Sequence, residues 1–320
     1  MKVLRWIAVL GLVGVTSAYA QQAPMPRPAP QFLAPLATEA APPAEAPSET
    51  PAAPATATAA IETVTSDPQP VVLTAMVTDG GRQIDQGLVW RVFTTKTDTA
   101  GQLELAAKSD SPVARFSLSP GNYVVHVAYG RAQASDTITV AEGSNSKNIV
   151  LEAGGLRLNA AVTGDVPIPI NLLHFDVLTA GTSDADRAMV AQGISANDIL
   201  TVNAGTYHIV SYFGAVNAVV RADLRVEAGQ LTDATLYHRA AQTSFKLVSE
   251  AGGEAIADVD WTVKTTDGTT IFTDTGAFPS TVLQEGDYLV LAKRGDTVFN
   301  REFEVTPGQP REIEVLTTVY

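Results

Sequence analysis

The chain has 320 residues, with 34 acidic side chains against 21 basic ones, a formal net charge of −13, and no cysteine. An acidic surface repels phosphate backbones and anionic lipid, which argues against nucleic acid as a partner. Without thiols there is no disulfide framework, thiolate nucleophile or thiolate metal site, so stability has to come from apolar cores.

At the N-terminus, Lys2 and Arg5 precede an apolar run from Trp6 to Val15 and then Ser17-Ala18-Tyr19-Ala20. This is the pattern of a cleavable export signal over residues 1–20. The run is too short for a bilayer, which takes about twenty apolar residues. The mature chain is therefore expected to lack a transmembrane segment. The expected location is the periplasm, with an extracellular or outer-membrane-associated position as the alternative. Residues 21–70 hold 12 of the 19 prolines together with 14 alanines. Such a segment buries too little apolar surface to offset its ordering entropy, so it reads as a disordered, polyproline-like linker.

Beyond Pro70 one unit recurs three times. Gly121-Asn122-Tyr123, Gly205-Thr206-Tyr207 and Gly286-Asp287-Tyr288 place their tyrosines 84 and 81 residues apart. A second glycine follows nine residues after each first one, at Gly130, Gly214 and Gly295. Further on come Val140 with Gly143, Val226 with Gly229, and Val305 with Gly308. Upstream, an aromatic two residues before a valine recurs as Trp90/Val92, Phe175/Val177 and Trp261/Val263. The order of landmarks sets modules at 71–153, 154–240 and 241–320.

Within the first unit, short apolar or alternating runs break at Gly, Asp, Asn or Ser, predicting strands near Val71–Thr78, Leu88–Thr95, Leu103–Ala107, Ala114–Leu118, Tyr123–Tyr129, Ala134–Val140 and Asn148–Leu151. Seven short strands in about eighty residues imply a sandwich. Ser183 to Asp186 resembles a helix capping box, but the equivalent stretches of the other units read as strands, which predicts a strand near Arg187–Gln192 instead. Gly-x-Tyr has a mechanical reading: glycine allows the turn into the strand, and the tyrosine hydroxyl reaches backbone across the corner. Trp90, Phe175 and Trp261 are then expected to fill the cores.

The run Ser119-Pro120-Gly121-Asn122-Tyr123 through Gly130, followed by Val140-Ala141-Glu142-Gly143, resembles the carboxypeptidase regulatory-like and prealbumin-like repeats of bacterial exported proteins. The likeness covers all three units. It departs where Pro120 is replaced by Ala204 and Glu285, and where an Asp-Gly plus aromatic before the strand is poorly kept. The resemblance implies an all-β chain of tandem immunoglobulin-like or prealbumin-like β-sandwich modules serving an accessory or adhesive role.

Little in the chain points to catalysis. His126, His174, His208 and His238 show no zinc-site spacing, and no nucleophile elbow or phosphate loop is present. Asp184 with Asp186, and Asp258 with Asp260, offer oxygens to calcium without the spacing of a known loop. No cofactor is expected. The period of two puts His126 and His208 opposite the tyrosine face of their strands, and Val124, Val210, Tyr212, Leu289 and Leu291 also lie on that outer side. Apolar residues on both faces require a cover, within the chain or from a partner. These seven residues form the candidate interaction face of a non-enzymatic envelope protein that presents its modules to a protein or polysaccharide. A carbohydrate-binding protein using Trp90 and Trp261 as sugar platforms is the alternative, and an unrecognised hydrolase a more distant one.

Overall fold

In a computed structural model, residues 67–97 and 99–317 are described, and they belong to one compact unit. The export signal and nearly all of the Pro/Ala-rich segment lie outside the described residues. The first module contains β1 (Gln69–Met76), β2 (Leu88–Thr97), β3 (Leu103–Ser109), β4 (Val113–Leu118), β5 (Gly121–Tyr129), β6 (Ala132–Val140) and β7 (Asn145–Val150). The second contains β8 (Ala153–Val162), β9 (Val166–Pro167), β10 (Leu173–Thr179), β11 (Met189–Ile194), β12 (Ile199–Asn203), β13 (Gly205–Phe213), β14 (Val219–Val226) and β15 (Leu231–His238). The third contains β16 (Ala240–Val248), β17 (Asp260–Thr265), β18 (Thr270–Thr275), β19 (Ser280–Gln284), β20 (Gly286–Arg294), β21 (Thr297–Val305) and β22 (Arg311–Leu316).

Each module is a two-sheet sandwich, and the strand order repeats. The smaller sheets run β4-β1-β7, β12-β8-β15 and β19-β16-β22; the larger run β3-β2-β5-β6, β11-β10-β13-β14 and β18-β17-β20-β21. In every smaller sheet the last strand pairs parallel to the first, while the larger sheets are antiparallel throughout. The capping-box segment forms only a single 3-10 turn, Asp184–Asp186, and the strand expected there is β11. Irregular register marks the β2/β3, β10/β11 and β17/β18 pairs, so each larger sheet has one bulged edge, which blunts pairing with foreign strands.

Alternation along the strands builds the cores. Trp90 and Trp261 are 0% and 1% exposed, with Phe175 in the corresponding place. The buried indoles still find hydrogen-bond partners: Trp90 Nε1 donates to Ser111 O at 3.0 Å and Trp261 Nε1 to Gly276 O at 2.8 Å. Both rings are therefore core, and they offer no platform for sugar. At each corner the tyrosine hydroxyl donates to the carbonyl four residues earlier: Tyr123 to Ser119 at 2.9 Å, Tyr207 to Asn203 at 2.8 Å, and Tyr288 to Gln284 at 2.8 Å. Among the described residues no helix is long and apolar enough to cross a membrane.

Candidate interaction face

The modules are joined almost without linkers. Leu151 and Glu152 separate β7 from β8, and Arg239 alone separates β15 from β16. Each joint is fixed by the same bond, since the residue before the next Gly-x-Tyr donates its N–H to the connector carbonyl: Ala204 to Glu152 at 2.6 Å, Glu285 to Arg239 at 2.8 Å. The second repeat glycine then touches the following module. A Cβ on Gly130 would lie 3.0 Å from Thr201 Cβ, and one on Gly214 would lie 2.7 Å from Val282 Cβ. Val282, in the third module, joins the buried cluster of the second, while Val216 of the second packs on the cluster of the third. A Cβ on Gly295 would have nothing within 4 Å.

The outward face of each larger sheet is laid out in three cross-strand rows. In the first module these are Phe93–Val124–Thr137, Arg91–His126–Ser135 and Val89–Ala128–Gln133. In the third they are Lys264–Leu289–Glu302, Thr262–Leu291–Asn300 and Asp260–Lys293–Val298. Val124, His126, Leu289 and Leu291 are half-buried among these neighbours, and Leu289 also lines a concavity with Lys264, Tyr288 and Glu302. Burial, with Arg91 adding to it, lowers the His126 pKa below its ordinary value.

The middle module differs. Its rows are Leu178–His208–Asp223, Asp176–Val210–Arg221 and His174–Tyr212–Val219. His174 and Tyr212 stack with ring centroids 4.8 Å apart. Asp176, only 7% exposed on a solvent-side position, accepts from Gly193 N–H at 2.9 Å. Burial, helped by the Asp176 carboxylate, raises the Tyr212 phenol above its usual pKa, and Arg221 opposes the shift. His208 is likewise 7% exposed and contacts Asp223 Oδ1 through Nδ1 at 2.6 Å. Its Nε2 is buried without a hydrogen-bond partner, a cost of about 1–3 kcal/mol when nothing compensates. His174, Arg221 and Asp223 are exposed, so the cluster opens to solvent.

Of the residues expected on this face, the structure brings His208, Val210 and Tyr212 together on β13. Val124 with His126, and Leu289 with Leu291, sit in the corresponding places of the other modules. His174, Asp176, Arg221 and Asp223 complete the cluster. They escaped the sequence reading because they stand on flanking strands whose register no local pattern reveals.

The acidic pair Asp184 and Asp186 is occupied internally. Asp186 accepts from Thr182 and Ser183 hydroxyls at 2.9 and 2.7 Å, and Asp184 pairs with Arg187 at 2.6 Å. No metal-holding group of three His or carboxylate residues occurs among the described residues. Ser211 Oγ and His238 Nε2 meet at 2.8 Å, but both are sealed in the core, away from any substrate.

Residues 242–317, within the third module, match the model of a family described as the Rhizobiales growth-associated tandem repeat domain. No curated protein matches the chain. Among solved structures it is similar to the Bacillus anthracis TIE protein, at 13% identity over 78% of this chain and 50% of that one, with a TM-score of 0.22. It is also similar to a streptococcal ancillary pilin, at 10% identity over 79% and 99% with a TM-score of 0.31. A third is BcpA, the major pilin subunit of Bacillus cereus, at 11% identity over 78% and 99% with a TM-score of 0.22. The chain thus spans half the length of the first of these.

Proposed function

We propose that this chain is a non-enzymatic structural and interaction protein of the cell envelope. In this reading residues 1–20 direct export, residues 21–70 act as a tether, and modules 71–153, 154–240 and 241–320 are presented together to a protein or polysaccharide of the envelope. The observation that carries it is the construction of the joints. Connectors of one or two residues and glycine-to-strand contacts make neighbouring modules share buried surface. Modules that served as independent binding beads would gain nothing from sharing surface, whereas a scaffold that holds its binding faces in fixed register does. The growth-associated description of the family matched by the third module fits a part in envelope construction.

The test is fractionation of cells expressing a tagged full-length chain, followed by mild cross-linking. The processed chain is expected in the periplasmic or envelope fraction, cross-linked to an envelope component. An unprocessed chain confined to the cytoplasm overturns the proposal.

A further inference from the structure

We propose that the outward face of the middle module is a binding site for a neutral polysaccharide, which lies across Tyr212 and His174 and is hydrogen-bonded by Arg221 and Asp223. The inference deepens the envelope-interaction reading by naming one ligand class at one module.

Three copies of the same scaffold provide the internal comparison. At the positions of His174 and Tyr212 the first module has Val89 and Ala128, and the third has Asp260 and Lys293. At those of Arg221 and Asp223 they have Ser135 and Thr137, and Asn300 and Glu302. The fold therefore does not need an aromatic pair or an arginine on this face. It also tolerates, in the middle module only, a nearly buried Asp176 and a His208 whose Nε2 has no partner. Asp176 is held by Gly193 N–H, but the buried Nε2 of His208 is left without a partner, which marks a surface shaped by more than stability.

The chemistry selects the ligand. Each ring of the pair covers one face of the other, and the exposed His174 with the half-buried Tyr212 leaves the remaining ring surface to the C–H groups of a pyranose. The exposed Arg221 guanidinium donates to hydroxyl oxygens, and the exposed Asp223 carboxylate accepts from hydroxyl hydrogens, so together they suit a group that both donates and accepts. Anionic polymers are disfavoured by Asp176, Asp223 and a chain of net charge −13. An apolar peptide is disfavoured because Val210, the aliphatic residue at the centre, is 6% exposed and offers almost no surface. A neutral glycan needs neither an excess of positive charge nor an apolar groove.

The test is native affinity electrophoresis of the full mature chain in gels containing soluble neutral polysaccharides, namely a mixed-linkage glucan, xylan, mannan and dextran, with alginate as the anionic comparison. At least one neutral gel is expected to retard the chain, and Tyr212→Ala to weaken that retardation at least tenfold. Arg221→Ala, at an exposed position, should weaken it with the melting temperature unchanged, which keeps the test decisive if Tyr212→Ala unfolds. Lys264→Ala, on the equivalent face of the third module, should bind as the parent does. No retardation in any neutral gel, retardation by alginate alone, or full binding by Arg221→Ala overturns the proposal. Envelope localisation is read separately, so a failure here is distinguishable from a failure of the envelope reading.

Discussion

Asn203 grips the main chain of Gln133 from both sides: its Oδ1 accepts from the Gln133 N–H at 3.0 Å, and its Nδ2 donates to the Gln133 carbonyl at 3.0 Å. The same Nδ2 donates to Leu151 O at 2.7 Å. One side chain thus ties the hairpin of the first module and its exit strand to the second. At the next joint the roles are reversed: Asn217 of the second module donates to Tyr288 Oη at 2.9 Å and accepts from Gln284 N–H at 3.0 Å. Replacing Asn203 by Ala should cost about 1–3 kcal/mol, from several net hydrogen bonds of roughly 1 kcal/mol each. Calorimetry should then show the first module melting ahead of the rest. A single unshifted transition would show that the joint contributes nothing to coupling.

Gly214 and Gly295 share left-handed backbone, with φ of 74° and 59°, but differ in surroundings. A side chain costs about 1–2 kcal/mol in this region whatever its neighbours. At Gly214 the new methyl must also displace Val282. Denaturant unfolding should therefore rank Gly214→Ala as clearly more damaging than Gly295→Ala, with Gly130→Ala between them. Equal losses would mean that the repeat glycine serves its own turn only.

The corner tyrosines can be compared in the same way. Tyr123→Phe removes one bond to backbone, for an expected loss near 1 kcal/mol. Tyr288→Phe also strands Asn217, so its loss should be greater. Trp90→Ala opens a cavity in the first core, for about 3–5 kcal/mol. Chemical denaturation measures all three, and the order Trp90, Tyr288, Tyr123 is the expected ranking.

Acid should loosen the second module through His238. Burial beside Ser211 and Phe213 lowers its pKa from 6.5 to about 4. The unfolded chain takes up that proton near pH 6.5 and the folded one only near pH 4. The stabilisation is therefore present in full above about pH 6.5 and drains away as pH falls towards 4, by up to about 3 kcal/mol. His238→Asn should flatten this part of the stability profile. An unchanged slope in the variant would assign the pH dependence to other groups.

Val-x-x-Gly, Gly-x-Tyr and the aromatic pair fixed the three-module sandwich from sequence, because each is a local device. A turn needs its glycine, a corner its tyrosine four residues beyond a carbonyl, and a core strand its large ring at one phase of a period of two. The same parity put His208, Val210 and Tyr212 on the outer side of β13. Parity says nothing about which residues of β10 and β14 stand beside them. His174, Asp176, Arg221 and Asp223 enter the cluster only through cross-strand register, set by pairings between residues as far apart as Leu173 and Phe213. Leu289 and Leu291 are half-buried on that outer side, Leu289 between Lys264 and Glu302 and Leu291 between Thr262 and Asn300, neighbours that again only register identifies. The joints were equally out of reach of sequence reading, since the partner of Asn203 is a main-chain amide 70 residues away that carries no mark in its side chain. Local geometry therefore decided the fold, and long-range register decided which outward groups could act together.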